Sequence, residues 1–197
     1  MLQHIRPAVV SMVFFTLVLG LGYPLAMTGV AQAVFPSQAA GSLVTDRNGA
    51  VIGSAVIAQG FAKPEYLHPR PSAAGTGYDP LNSGGSNLGP MDKKLIDRVK
   101  SDAAAIAKAD GVPTSAIPVD AVTTSGSGLD PDISPANARM QAARIAAARG
   151  ARRAGVLAVI DGHTEGRTLG ILGEPHVNVL AVNRDLDARF PVAQSGG

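Results

Sequence analysis

Between Pro7 and Thr45 the chain carries no charged side chain. Apolar residues are densest over residues 8–33, AVVSMVFFTLVLGLGYPLAMTGVAQA. A helix rises about 1.5 Å per residue, so about 20 such residues cross a hydrocarbon core about 30 Å thick. Only a helix or a closed barrel satisfies its own backbone there. The pattern predicts a short tail over 1–7, a transmembrane helix over 8–33 and a soluble domain over 34–197. A secretory signal cleaved after Ala31-Gln32-Ala33 is the rival reading. The apolar run outlasts the roughly 7–15 residues of such signals, which favours a retained anchor. Gly22 with Ala26, and Gly29 with Ala33, form small-xxx-small pairs that let a partner helix approach closely. Glycine is also common in membrane helices generally, which is the plainer explanation. Pro24 removes a backbone donor and predicts a kink.

Beyond the span the periodicity changes repeatedly. Leu43–Asp46 and Ala50–Gly53 flank Arg47-Asn48-Gly49, a hairpin signal, with the second strand expected to run on through Ala58. Residues 60–91 hold Pro64, Pro69, Pro71, Pro80 and Pro90 and predict irregular chain. Their aromatic and aliphatic side chains predict an ordered docking loop. Leu95, Ile96, Val99, Ala103 and Ile106 mark one face of a helix over Asp92–Ala109, closed by Gly111 and Pro113. Ser134 as N-cap and Pro135 at the first position open a second helix that ends at Gly150. The apolar run Gly155–Ile160 predicts a buried strand, with Thr168–Leu172 pairing to it. Glu174-Pro175 opens a last helix bearing Val179, Val182, Leu186 and Phe190. The fold class is a single N-terminal transmembrane helix followed by a small α+β soluble domain.

Charge changes this picture little. Lys+Arg number 17 and Asp+Glu 15, a net charge of +2, so no basic footprint for nucleic acid is present. Cysteine is absent, which excludes disulfides and thiolate chemistry. Arg6 and the amino terminus precede the span, and Arg47 beside Asp46 follows it. That asymmetry places the N-terminus inside and the domain outside the cell.

Candidate chemistry is sparse. The chain has no phosphate loop with its lysine, no H-E-x-x-H, no EF-hand and no aspartyl-phosphate sequence. Ser83–Asn87 and Ser125–Gly128 are hydroxyl-rich glycine turns, and Ser134 opens a helix. Exposed N–H groups in such places bind anions, so Ser86, Asn87, Ser125, Ser127 and Ser134, with Arg70 and Asp130, are candidates for nucleotide or partner docking. Structural turns explain them more simply. Asp130 and Asp132 flank Pro131 as acid/base candidates or turn caps. Arg70, stiffened by Pro69 and Pro71, could hold an anion. His68, His163 and His176 with Glu65, Glu165 and Glu174 match no ligand spacing, and no metal is expected. An anchored hydrolase using Ser127, Asp130 and His163 lacks the nucleophile elbow. A cleaved, secreted binding protein is a further class.

Several ordered blocks carry a resemblance. They are Tyr66-Leu67-His68-Pro69-Arg70-Pro71-Ser72, Gly85-Ser86-Asn87-Leu88-Gly89-Pro90, Ser125 through Pro135, His163-Thr164-Glu165-Gly166-Arg167, and Gly173 through Leu180. With the N-terminal span they resemble the C subunit of the bacterial potassium-transporting Kdp ATPase over nearly the whole chain. Asp132 and Leu67 depart from the histidine and phenylalanine expected in relatives. The resemblance implies a non-catalytic, single-pass subunit of a high-affinity potassium importer in the cell inner membrane. Its partners would be the ion-conducting and ATP-hydrolysing subunits. One implied role is a catalytic chaperone that raises ATP affinity and itself touches ATP. The other is an extracytoplasmic domain that stabilises the assembly. A docking module unrelated to nucleotide is the alternative.

Overall fold

In a computed structural model, which describes residues 2–46 and 48–192, the chain divides into two compact units at the Ser54–Ala55 bond. The hairpin therefore groups with the N-terminal helix. In this first unit Ile5–Val34 is one continuous helix, long and apolar enough to cross a membrane. It consists of α1 (Ile5–Leu17), a π-helical turn (Val18–Gly22) and α2 (Tyr23–Val34). None of its side chains is buried. The wide turn has a local cause. Pro24 lacks an N–H, and its ring would strike the carbonyl of Gly20 four residues before it. Opening the preceding turn, so that the Tyr23 N–H reaches back to Val18 O, relieves that clash. This π turn is the form that the expected Pro24 irregularity takes. From Gly22 onward the helix is regular. Steps of about 100° put Gly22, Ala26, Gly29 and Ala33 within about 60° of one another on one face.

A single helical turn, α3 (Pro36–Ala39), leads to β1 (Leu43–Thr45) and β2 (Val51–Ser54), an antiparallel pair with a bulge between Val44 and Thr45. Asp46 Oδ1 accepts the N–H groups of Asn48 and Ala50, both at 2.8 Å, and closes the turn. Arg47 lies outside the described residues. β2 stops at Ser54 and does not run on to Ala58, whose N–H donates to Leu129 O at 3.0 Å instead.

The second unit contains α4 (Lys93–Asp110), β3 (Asp132–Ile133), α5 (Pro135–Arg149), α6 (Arg153–Gly162), β4 (Thr164–Glu165), β5 (His176–Asn178) and α7 (Val179–Arg189). The short strands form one antiparallel sheet in the order β3-β5-β4. Ile133 and Val177 face inward from it. They join Ala138, Ala142 and Ile145 of α5, Val156, Val159 and Ile160 of α6, and Val179, Val182 and Leu186 of α7.

Four expectations differ from the structure. Gly155–Ile160 is helix, not strand. Its buried positions are Val156, Val159 and Ile160, at spacings of three and four, while Ala158 and Asp161 are exposed. Gly155 leaves room for Phe190, whose ring tip would lie 2.9 Å from a Cβ there and would have to shift. Thr168–Leu172 folds back on itself through a Thr168–Leu172 bridge and, among the described residues, pairs with no other segment. The last helix begins at Val179, capped by Asn178, because His176–Asn178 is taken up by the sheet. Ile96, expected on the inner face of α4, is exposed.

The irregular stretch after residue 60 is fastened by side chains. Leu67 is fully buried in the core. Asn183 Oδ1 accepts the Leu67 N–H at 2.7 Å, and Asn183 Nδ2 donates to Leu67 O at 2.9 Å. Gln141 clasps His68 in the same two-point manner, at 2.8 and 3.1 Å. Two side-chain amides thus do for an extended segment what a neighbouring strand would do. Arg149, whose side chain is fully buried, donates to Glu65 O, Phe190 O and Asp187, and lies over the Tyr66 ring.

Candidate functional site

Arg70, Ser125, Ser127, Asp130 and Ser134 lie where the 68–85 chain meets the 120–134 chain of the second unit. Pro69 and Pro71 hold Arg70 extended, and its guanidinium is spent on the facing loop. Nη1 donates to Asp130 Oδ2 at 2.9 Å, Nε to Thr123 O and Nη2 to Thr124 O, both at 3.3 Å. Ser72 Oγ donates to Gly128 O at 2.6 Å and accepts the Tyr78 N–H at 2.8 Å. The Tyr78 hydroxyl donates to Arg70 O, and burial pushes its pKa up. Arg70 is therefore a clamp on the 123–130 loop.

The two glycine turns lie against each other. Ser127 O accepts the Gly84 N–H at 2.8 Å and the Ser83 hydroxyl at 3.0 Å. A Cβ on Gly85 would come within 3.2 Å of Gly126 O. Ser127 Oγ accepts the Leu129 N–H and lies 3.4 Å from Ser125 Oγ. Ser86 and Asn87 follow directly in the chain, with Asn87 at a φ of +52°, and among the described residues no side-chain bond joins them to the 125–128 turn. The donors that made these turns candidates for anions are in part already bonded within the pair.

Ser134 caps α5 by accepting the Asn137 N–H at 3.1 Å. Asp120 occupies the space in front. It accepts Ser134 N–H at 2.8 Å, Ser134 Oγ–H at 2.9 Å and Asn137 Nδ2–H at 3.1 Å. The anion that a helix N-terminus favours is supplied by the chain itself. Asp120 was not singled out from sequence, since its partners lie fourteen residues or more further on and no local pattern marks it.

Next to this cap an open cleft of about 390 Å³ is lined by Arg70, Asp120, Asp130, Asp132, Leu172 and His176 among others. Asp132 of β3 and His176 of β5 line it, and Glu165 of β4 lies outside its lining beside His176. Asp132 on β3 and Glu165 on β4 face His176 on β5, with Nε2–oxygen distances of 3.9 and 3.7 Å. Burial pushes the Asp132 carboxyl above the usual aspartate range, and Asp130 and Glu165 add to that. A bond from Asn178 and the nearby His176 pull the other way.

A folded-state pKa above the unfolded value means that the charge on Asp132 costs stability at neutral pH. The cost fades as pH falls through the raised value toward the unfolded one. Asp132→Asn keeps an oxygen for Asn178 and should raise the melting temperature at pH 7. Paired melts at pH 7 and pH 4 should show that gain shrinking on acidification.

The other candidates are scattered. His163 pairs with Asp185 at 3.1 Å, so Ser127, Asp130 and His163 each take different partners and form no relay. Asp185 is held below the usual range: burial raises it, but bonds to Arg189 and His163 outweigh burial. His68 contacts Lys63 O at 3.0 Å, away from His163 and His176, and burial lowers its pKa.

The family model described as "KdpC: K+-transporting ATPase, c chain" matches residues 5–188. A potassium-transporting ATPase KdpC subunit of Caulobacter sp. strain K31 is 65% identical over 100% of both chains. One from Caulobacter vibrioides strain NA1000 is 63% identical over 97% of this chain and 96% of its own. One from Beijerinckia indica is 55% identical over 98% and 97%.

Proposed function

The chain belongs to the KdpC family, the c chain of K+-transporting ATPases, and from that premise we propose that it is a non-catalytic, single-pass membrane subunit of an ATP-driven potassium importer. Its task is to assemble and stabilise the ion-conducting and ATP-hydrolysing subunits. The observation that carries this reading is the 30-residue apolar helix, which buries no side chain of its own and aligns four small residues on one face. A helix in lipid has no hydrophobic drive toward a neighbour, so close packing along small residues is what association there requires. The charge asymmetry around the span orients the soluble domain outside the cell.

A catalytic chaperone that touches ATP directly is supported less well. The cleft beside the glycine turns is lined by four carboxylates, Asp120, Asp130, Asp132 and Glu174. Its one arginine is already committed to Asp130 and two carbonyls. Such a lining repels phosphates.

The assembly role is tested on the helix. At Gly29 a Cβ would meet nothing within 4 Å of its own chain, and at Gly22 the nearest atom is Leu17 O at 3.6 Å. Gly22→Leu with Gly29→Leu therefore leaves the helix itself intact and obstructs only a partner. Co-purification with the other ATPase chains in mild detergent should fall about tenfold. Unchanged co-purification would remove helix packing as the basis of assembly.

A further inference from the structure

Residues 166–174 form a finger that the core does not account for. Thr168 and Leu172 exchange backbone hydrogen bonds at 2.9 and 3.0 Å, and the Gly170 N–H returns to Arg167 O at 3.0 Å. Arg167 bonds both oxygens of Glu174 at 2.7 Å and braces the base. At the tip Leu169 is 86% exposed and Ile171 75%. Leu169 also has a φ of +55°, a left-handed conformation that its neighbour Gly170 would hold without strain. A braced loop thus spends backbone strain on presenting bare apolar side chains to solvent, the kind of outlier that clusters at binding surfaces.

The finger borders the cleft, where Thr168, Leu172 and Glu174 line it together with Asp132 and His176. His176 Nδ1 lies 3.1 Å from Glu174 O, where it can only donate. Its Nε2 is turned toward Asp132 and Glu165. At 3.7 and 3.9 Å neither contact is a hydrogen bond. Among the described residues, the ionic contacts of these two carboxylates are with His176, and no lysine or arginine is paired to either.

Resting on the subunit role above, we propose that the finger and cleft are one docking surface for another protein chain of the ATPase complex. That chain would offer an apolar hollow to Leu169 and Ile171 and a lysine or arginine to Asp132 and Glu165. Charge selects this occupant. A bilayer surface is itself negative where it is charged and would repel the carboxylates. A second copy of this chain meeting it through a two-fold axis would set one acidic cleft against another.

The test uses the purified complex with Leu169→benzoylphenylalanine, and Lys100→benzoylphenylalanine on the exposed side of α4 as a control. Irradiation should join position 169, and not position 100, to another chain of the complex. Asp132→Asn, or raising salt from about 50 to about 500 mM, should lower that yield about threefold. Asp132→Asn is expected to fold at least as well as the parent at neutral pH, so a loss would not reflect unfolding. An adduct only with lipid, only with a second copy, or none at all, in a complex that still co-purifies, would overturn the inference alone. So would a yield indifferent to both charge removal and salt. Failure of the parent chain to co-purify with the other ATPase chains would overturn the subunit role, and the inference with it.

Discussion

Replacing Arg144 by Met should destabilise the second unit by about 3–5 kcal/mol and lower its melting temperature by roughly 10 °C. Arg144 Nε donates to Asp110 Oδ1 at 2.8 Å, and the two side chains are 7% and 5% exposed. Nη1 donates to Pro64 O at 2.6 Å and Tyr66 O at 2.9 Å, and Nη2 to Gln141 Oε1 at 2.6 Å. Methionine preserves most of the apolar stem and so isolates the loss of the guanidinium. Asp110 would then be a buried carboxylate without a counter-charge. It is also the last residue of α4, where the helix dipole disfavours an anion. Adding Asp110→Asn to Arg144→Met removes that charge and should restore a substantial part of the loss. Thermal melts of the detergent-solubilised chain measure both. If the double variant were no more stable than the single, the unpaired charge would not be the cause, and the carbonyls of the 64–66 segment would be.

What local sequence can encode was legible here, and what depends on distant partners was not. The apolar run, the Ser134-Pro135 start and Gly150 end of α5, and the presence of a helix near residues 92–109 each rest on residues within one or two turns, while Asp92 proves to be the cap of α4 rather than its first residue. The glycine turns were visible as turns, but that they pack on each other depends on segments some forty residues apart. The strands β3, β4 and β5 are two or three residues long, too short for alternation to register, and are held by cross-strand partners and caps. Gly155–Ile160 was ambiguous for a physical reason: six apolar residues fit a buried strand or a helix, and only burial at 156, 159 and 160 separates them. The inner face of α5 includes Asn137, Gln141 and Arg149, so a hydrophobic pattern could not reveal which side is inward. Those polar residues are buried because the extended 64–68 segment needs partners for its backbone. Of the candidate site residues, the sequence brought forward Arg70, Asp130 and Ser134. It could not say that Arg70 and Asp130 satisfy each other or that Asp120 fills the space before α5.

That closed set of internal partners makes the glycine junction sensitive to a single methyl group. Gly128→Ala should cost about 2–4 kcal/mol, whereas Gly126→Ala, two residues away, should stay within about 0.5 kcal/mol of the parent. At Gly128 φ is +66°, which alone costs an alanine about 1 kcal/mol or more. A Cβ there would lie 2.7 Å from both Ala74 N and Gly84 O. Both are backbone atoms on separate segments, so neither can rotate away. Relief requires the 72–74 and 83–85 strands of chain to part from the 125–128 turn, which lengthens the Ser72 hydroxyl bond to Gly128 O and the Gly84 N–H bond to Ser127 O. At Gly126 a Cβ meets nothing within 4 Å. Hydrogen exchange of the Gly84 and Tyr78 amides should report the separation directly, with faster exchange in Gly128→Ala and parental rates in Gly126→Ala. Equal tolerance of alanine at both positions would mean that the two turns do not pack as closely as the clamp of Arg70, Ser72 and Ser127 requires.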